Sequence, residues 1–202
     1  MELSRKGIAN TLRGLKQKWG SASVKRDMWN KEYEAGKWKH CEVTPRAHVY
    51  ELVERYCRRG AILDLGCGSG NTGNEIDLTK YRDYVGVDIS TVAVRRAIER
   101  SEECGRSSKN TYVQGDIESY SPDRKYDVIL FRESIYYLAL GTTQAALDRY
   151  RRYLADDNGV FIVNMSRLGS KHFGEIARLL EANYLCVEKS TPDHDTYVLV
   201  FR

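Results

Sequence analysis

The sequence lacks the long apolar runs and the repeats that mark several protein classes. No stretch approaches the roughly 18 apolar residues that a membrane-spanning helix needs, and no signal-peptide pattern is present at the start. Three prolines and no internal period argue against collagen-like and solenoid architectures. With 42% hydrophobic and 30% charged residues among 202, the composition is that of a soluble globular protein.

Cysteines are few, odd in number and scattered. There are five of them, and no two form a Cys-x-x-Cys pair. This argues against a disulfide framework and against a zinc site. We therefore expect no metal, and a cytoplasmic protein, since a reducing compartment is the simplest setting for free thiols.

Acidic residues are almost absent from the N-terminal segment. Residues 1–26 hold seven basic side chains and one acid, whereas the remainder has a slight excess of acids. The part of the chain after residue 26 thus lacks the excess of basic residues that nucleic-acid-binding proteins show, and we expect no nucleic-acid partner.

The basic segment also carries apolar residues at helical spacing: Ile8, Leu12, Leu15 and Trp19. This pattern predicts a helix or a frayed tail. A basic amphipathic helix can bind an anionic membrane. We favour packing of the stripe on the protein's own core or on a second subunit, because three glycines weaken the helix. The oligomeric state stays open.

From residue 45 onward, short apolar strands alternate with amphipathic helices. The pattern predicts strands at 61–65, 84–88, 111–114, 126–131 and 159–165, and a closing hairpin of 185–189 and 197–202. Helices are predicted at 47–57, from residue 90, at 142–154 and at 172–182. This alternation predicts a doubly wound α/β fold with a mostly parallel sheet, which binds ligands at the carboxyl ends of its strands.

A glycine-rich loop follows the first strand, at that ligand-binding edge. Gly66, Gly68 and Gly70 alternate with other residues, so the backbone can turn sharply and approach a ligand closely. Gly68, Gly70 and Gly73 also fit the G-x-G-x-x-G pattern of dinucleotide-binding proteins. An NAD-dependent oxidoreductase is therefore one interpretation.

Three acids at strand ends argue for another interpretation. Asp64 lies within the first strand, Asp88 ends the second and Asp116 follows the third. A carboxylate such as Asp88 can accept hydrogen bonds from both ribose hydroxyls in either class of protein. An acid after the third strand has no required role in dinucleotide binding.

The order of these motifs resembles the class I S-adenosylmethionine-dependent methyltransferases over roughly residues 45–202. The matches are Asp64-x-Gly66-x-Gly68-x-Gly70, Asp88, Gly115-Asp116, Tyr126-Asp127-Val-Ile-Leu and Asn158-Gly159. The resemblance implies S-adenosylmethionine as cofactor. It also implies a seven-stranded Rossmann-like sheet whose last two strands form an antiparallel hairpin.

The resemblance also implies roles at the cofactor site. The Gly66–Gly70 loop would pass under the methionine and ribose, oriented by Asp64. Asp88 would bind the ribose, and the adenine contacts would be Ile89, Asp116 and Ile117. Cys67 and Phe131 are assigned to the site by position, Cys67 as a small packed residue rather than a reactive thiol.

The segment after the fourth strand is where the resemblance implies the methyl acceptor. Nucleic-acid and protein-amide members carry Asn/Asp-Pro-Pro-Tyr/Phe there, whereas this sequence has Arg132-Glu133-Ser134-Ile135. The departure argues against base or amide N-methylation. Glu133 is the candidate general base, and Ser134, Tyr136 and Tyr137 are candidate acceptor contacts. No acidic cluster resembles the magnesium site of catechol-type members.

An aromatic stretch of Trp29, Tyr33 and Trp38 precedes these motifs and resembles the lid of some small methyltransferases. Such rings could close over a sulfonium or stack on a sugar, or could dock a helix on the sheet. His40, just beyond, is a second catalytic candidate. We divide the chain into residues 1–44, a basic helix with an aromatic lid segment, and residues 45–202, the methyltransferase domain.

Together these features predict an S-adenosylmethionine-dependent methyltransferase of a small molecule, such as a sugar or a natural-product intermediate. A hydroxyl acceptor is slightly favoured over a small amine, because Glu133 offers a base. The alternatives are an NAD-dependent oxidoreductase and a non-catalytic module that binds the cofactor.

Overall fold

A seven-stranded mixed sheet organises the chain. A computed structural model describes residues 5–39, 42, 47–155, 158–167 and 172–202. The strands are β1 (Ala61–Leu65), β2 (Asp83–Asp88), β3 (Asn110–Gln114), β4 (Val128–Arg132), β5 (Val160–Ser166), β6 (Cys186–Ser190) and β7 (Thr196–Phe201). Their order is β3-β2-β1-β4-β5-β7-β6. The strand order reverses beside β1, so β1, β2 and β4 converge on the crevice where such sheets bind ligands.

The sheet has the predicted mixture of parallel and antiparallel pairs. Strands β1 to β5 pair in parallel, and β7 runs antiparallel to both β5 and β6. The doubly wound fold with its C-terminal antiparallel hairpin is therefore confirmed. Strand β4 begins two residues later than the sequence pattern predicts, because Tyr126 only bridges to Leu154 outside the ladder.

Helices cover both faces of the sheet: α1 (Arg5–Trp19), α2 (Ala22–Glu34), α3 (His48–Cys57), α4 (Asn71–Glu75), α5 (Thr91–Glu103), α6 (Leu140–Arg151) and α7 (Phe173–Asn183). All five residues of β1 are buried. Leu63 and Leu65 face one core cluster and Ile62 faces the other, which follows from the alternation of side chains along a strand. A buried strand covered on both faces reads as a continuous apolar run.

The N-terminal segment forms two helices that lie beside the sheet, and α2 contacts α5. Three residues of the apolar stripe of α1, Leu12, Leu15 and Trp19, are exposed to solvent. For these three the expectation of packing on the protein's own core is wrong, and packing on a second subunit stays a prediction. Polar contacts to α2 hold α1 in place instead. No described helix has the length and apolarity to cross a bilayer. The division at residue 44 stays a prediction.

Candidate functional site

A cavity of about 560 Å³ opens at the carboxyl ends of β1, β2 and β4. Its floor is the glycine loop, one wall follows β4, and α1 and α2 form its roof. The lining residues among those predicted from sequence are Trp29, Tyr33, Trp38, Asp64, Gly66, Cys67, Gly68, Asp88, Ile89, Asp116, Ile117, Glu133, Ser134, Tyr136 and Tyr137. The structure therefore brings the predicted cofactor and acceptor residues to one site.

The glycine loop is held open by backbone bonds and by positive φ angles. Gly66 and Gly68 have φ of 84° and 56°, which a side chain would strain. The N–H groups of Gly66 and Cys67 both donate to the Val87 carbonyl, at 2.8 and 3.0 Å. A Cβ at Gly68 would lie 2.8 Å from the Tyr33 hydroxyl oxygen. The loop therefore exposes bare backbone to the cavity, directly beneath the roof.

Asp88 ends β2 and turns its buried carboxylate towards the loop. Its Oδ2 accepts from the Gly68 N–H at 2.9 Å, and its Oδ1 accepts from the Ser90 N–H at 2.8 Å. Burial raises the pKa of Asp88 to about 6, against the opposing effect of these two N–H groups. Each carboxylate oxygen has a second lone pair, so Asp88 can accept further bonds from a vicinal diol.

Asp64 is a second buried carboxyl at the end of β1. Its Oδ2 accepts from the Tyr84 hydroxyl at 2.6 Å, and burial raises its pKa to about 6. Its Oδ1 is buried and accepts no hydrogen bond from the described residues. A buried carboxylate oxygen in this state is costly unless a ligand donor meets it. Asp64 therefore offers an acceptor to a cationic or N–H-bearing ligand group.

The third acid, Asp116, lies in the turn after β3. Its Oδ1 accepts from the Glu118 N–H at 2.9 Å, which fixes the turn and leaves Oδ2 for a donor in the cavity. Ile89 and Ile117 also line the cavity. This arrangement suits a flat heteroaromatic ring with an exocyclic amine.

Two residues assigned to the cofactor site lie outside the cavity lining, and a third belongs to the core as well. Phe131 is fully buried and packs on Tyr150, with 6.2 Å between ring centroids, so its role at the cofactor site stays a prediction. Gly70 lies outside the cavity lining and begins α4 at a φ of 79°. Cys67 touches the cavity, but its buried thiol, with a pKa raised by burial, belongs to the packed core.

Glu133 stands at the end of β4 with an unusual backbone conformation. Its φ is 54°, a left-handed value that costs energy in a residue with a side chain. Its N–H donates to the Asn164 carbonyl at 2.9 Å, which holds the strained turn against β5. Burial raises the pKa of its carboxyl, while the Tyr136 hydroxyl and the Ser166 N–H stabilise the charged form. Strain of this kind concentrates at functional sites.

Ser134 and Tyr136 support this segment more than they contact a ligand. The Ser134 hydroxyl donates to the Leu65 carbonyl at 2.5 Å, so it ties β4 to β1 beside Gly66. The Tyr136 hydroxyl donates to Glu133 Oε2 and orients that carboxylate. Both side chains are nearly fully buried, although both reach the cavity.

A continuous row of aromatic rings forms the roof. Trp29 packs on Trp38 at 5.5 Å and on Tyr137 at 4.9 Å between ring centroids. Tyr33 lies 6.5 Å from Trp38, and Tyr136 lies 4.8 Å from Tyr137. The predicted lid and the segment after β4 therefore form one surface, which neither stretch of sequence shows alone.

Two polar contacts fasten α2 to the rim of the cavity. Lys25 Nζ lies 2.6 Å from Glu118 Oε2, next to the Asp116 turn. The Asn30 amide oxygen accepts from the Ser90 hydroxyl at 2.8 Å, at the start of α5. We call these two contacts the α2 latch. They close α2 over the end of the cavity where Asp88 and Asp116 lie.

Several lining residues were missed by sequence reasoning: Gln17, Lys25, Ser69, Asn71, Thr72, Arg132, Leu138 and Ser166. Ser69, Asn71 and Thr72 adjoin the glycine loop, so their proximity could have been anticipated. Lys25 gave no such signal, because it reads as one more charge in a basic segment. His40 lies outside the described residues. Within the described ranges, no three His, Cys, Asp or Glu side chains form a metal-binding group.

The cavity has the charge and shape of a site for a cationic nucleoside. Four carboxyls line it, from Asp64, Asp88, Asp116 and Glu133, against the cations of Lys25 and Arg132. Bare glycine backbone, the Asp64 oxygen that lacks a partner among the described residues, and the aromatic roof fit the ribose, amino group and sulfonium of S-adenosylmethionine.

A family model described as "Methyltransferase domain" matches residues 62–157. The mRNA cap guanine-N(7) methyltransferase of Schizosaccharomyces pombe is 34% identical over 83 residues, which cover 38% of this chain and 23% of that protein. The chain thus matches less than a quarter of that relative's length.

Two solved structures share the fold. The N-methyltransferase NodS of Bradyrhizobium japonicum, in complex with S-adenosyl-L-homocysteine, has a TM-score of 0.62 at 20% identity, covering 77% of this chain and 85% of that one. Magnesium protoporphyrin IX methyltransferase of Synechocystis, with bound S-adenosylmethionine, has a TM-score of 0.65 at 15% identity, covering 90% and 96%. At these identities the likeness concerns the fold.

Proposed function

The chain carries a methyltransferase domain of the class I S-adenosylmethionine-dependent family, and we propose that it methylates a small molecule through a hydroxyl facing Glu133. The observation that carries the proposal is the partly buried Glu133 carboxylate, which extends from a backbone turn of positive φ at the wall of a cavity that fits the cofactor.

The cofactor end of the cavity is assigned to the glycine loop and the three acids. S-adenosylmethionine supplies a methyl group on a positively charged sulfur. Asp88 accepts from the ribose hydroxyls, and Asp64 Oδ1 accepts from the amino group of the methionine portion. Ile89 and Ile117 pack on the adenine, and Asp116 accepts from its amine. Burial of these groups excludes water and strengthens each contact.

Glu133 takes the hydroxyl proton of the acceptor. The raised pKa of its carboxyl makes it a stronger base than an exposed glutamate, and a base is most effective when its pKa approaches the working pH. Tyr136 and the Ser166 N–H hold the carboxylate in one orientation. The backbone turn at Glu133, fixed by Asn164, prevents the side chain from swinging out of the cavity.

The size of the cavity supports a small acceptor. Its volume of about 560 Å³ lies within the usual range for small-molecule sites. The aromatic rings of Trp29, Trp38 and Tyr137 would stack on a planar or sugar-like body. Cytoplasmic location and the absence of a nucleic-acid partner remain part of the proposal.

An amine is the second candidate acceptor. The same aromatic row, together with Glu133, could bind a cationic nitrogen by cation–π and charge interactions. NodS is described as an N-methyltransferase, and the Schizosaccharomyces pombe relative as a guanine-N(7) methyltransferase. An amine bound in this way would use Glu133 for positioning, since alignment for attack lowers much of the barrier.

An acceptor screen with methyl-deuterated S-adenosylmethionine tests the proposal. Purified protein is incubated with a panel of phenols, sugars, small amines and a capped RNA oligonucleotide, and products are identified by mass spectrometry. We expect label on the oxygen of a small hydroxylated compound. Label only on nitrogen supports the second candidate, and label only on the cap contradicts the small-molecule assignment.

A further inference from the structure

Helix α1 is amphipathic, but its apolar face points outward. Leu12, Leu15 and Trp19 are 52%, 53% and 74% exposed. They fall on one face at helical spacing, while Gln17 on the opposite face is buried and lines the cavity. Amphipathic helices on a protein surface normally turn the apolar face inward. An apolar face turned outward calls for a partner.

Specific polar contacts fix this orientation. Arg13 forms a two-point contact with Glu32 of α2, at 2.5 and 2.9 Å, and a further bond to Gln17 at 2.8 Å. Its guanidinium also lies 5.3 Å from the centre of the Trp29 ring. Near the end of α1, Lys18 contacts His172 at 2.5 Å. The helix is therefore attached through its polar face.

The charge of α1 limits the kind of partner. The helix carries five basic residues and no acid along its 15 residues, and Lys16 is exposed at the border of the apolar stripe. Exposed leucines and a tryptophan beside an exposed lysine, on a helix without acids, suit the interface of an anionic bilayer, where tryptophan and basic side chains sit at the headgroup level. We propose that α1 lays its Leu12–Leu15–Trp19 face on an anionic lipid surface.

Two other occupants fit less well. A second copy of the chain would place one all-basic α1 against another and incur charge repulsion. RNA would meet the cations, but two aliphatic leucines offer nothing to a phosphate backbone. Gln17 and the stripe lie on opposite faces of α1, so a lipid surface bound to the stripe would not block the face of α1 that lines the cavity. The proposal is independent of the methyl acceptor.

Vesicle co-sedimentation of the full chain tests it. The probes are vesicles of phosphatidylcholine alone and of phosphatidylcholine mixed with phosphatidylglycerol, at low and high salt. We expect sedimentation with the anionic vesicles only, weakening with salt. The double variant Leu12→Gln/Leu15→Gln should bind about a hundredfold more weakly. Lys16→Ala should weaken binding about fivefold.

Leu185→Gln is the matched control, because Leu185 is 69% exposed but lies far along the chain before β6. It should bind vesicles like the unmodified chain. Trp19 should shift its fluorescence to the blue on binding, and Trp19→Phe should lose that shift while still sedimenting. Equal sedimentation of the unmodified chain and the double variant overturns the proposal. Self-association or RNA binding without vesicle binding, each abolished by the double variant, overturns it as well.

Discussion

Glu133 combines a strained backbone conformation with a partly buried carboxyl, and both hold a general base in a fixed position. Replacement by glutamine keeps the size and the hydrogen bond from Tyr136 but removes the base. We expect Glu133→Gln to lower kcat by about 10²–10⁴ while cofactor affinity stays unchanged. Steady-state kinetics with the acceptor found in the screen, beside calorimetric titration with S-adenosylhomocysteine, make the comparison.

Tyr136→Phe is the matched control for that experiment. It leaves the Glu133 carboxylate in place but removes one contact that orients it, so its loss of kcat should be much smaller. The unmodified enzyme should gain activity as pH rises through the raised pKa of Glu133. In Glu133→Gln this rise of activity with pH should be absent. Full turnover by Glu133→Gln would exclude Glu133 as the general base, and an amine would then be the better candidate acceptor.

Asp88 makes cofactor binding depend on pH. In the free protein its pKa is raised to about 6, whereas two ribose hydroxyls would bind its ionised form. Binding therefore favours loss of the proton. Affinity for S-adenosylhomocysteine should rise by up to about tenfold per pH unit below that value and level off above it.

Calorimetric titration on either side of pH 6 measures this dependence. Asp88→Asn should bind at least about tenfold more weakly at neutral pH, since hydrogen bonds to a charged group are worth about 1.5–3 kcal/mol. It should also show a shallower pH dependence, with Asp64 as the remaining buried carboxyl. A variant with the affinity and pH profile of the unmodified protein would exclude Asp88 from the ribose site.

At the scale of elements, α2 acts as a fastened cover of the cavity. The Lys25–Glu118 pair is largely buried on the lysine side, so it should contribute more than an exposed ion pair. We expect Lys25→Ala to speed dissociation of S-adenosylhomocysteine about fivefold. Stopped-flow fluorescence of Trp29 and Trp38, which line the cavity, reports the rate.

A double-mutant cycle separates the latch from a general loss of helix stability. Glu118→Gln should match Lys25→Ala, and the two together should add little, because they remove one interaction. Lys31→Ala, an exposed lysine on the same helix, is the control and should leave the rate unchanged. Additive effects of Lys25→Ala and Glu118→Gln would show that the pair does not hold the cover.

The elements differ in how far their sequences predict them. Strand β1 was predicted with its observed bounds, because a short run of apolar residues, interrupted only by Asp64 and followed by alternating glycines, is typical of this strand and loop. The short helix α4 and the 3-10 turn at Ile135–Tyr137 were not predicted, since neither is long enough to show a period. The position of α2 over the cavity depends on Lys25 and Asn30, whose hydrogen-bond partners lie 93 and 60 residues away in the sequence. Local sequence patterns do not predict such distant pairs.

At the scale of the molecule, the cofactor end of the site could be predicted from the sequence, whereas its aromatic roof could not. Asp64, Asp88 and Asp116 could be predicted because each lies near the carboxyl end of a strand, and parallel strands end at one edge. The aromatic roof could not be assembled from sequence, because Trp29 meets Tyr137 only through the fold. The alternation of side chains along β4 likewise places Phe131 in the core beside Tyr150 and not among the cavity-lining residues.

Calorimetric titration of the purified chain with S-adenosylhomocysteine and, separately, with NADH distinguishes a methyltransferase cofactor site from a dinucleotide site. We expect saturable binding of S-adenosylhomocysteine at one site per chain, weakened about tenfold or more by Asp88→Ala, and no binding of NADH. Saturable binding of NADH with no heat from S-adenosylhomocysteine would exclude the methyltransferase site and restore the oxidoreductase interpretation of the glycine loop.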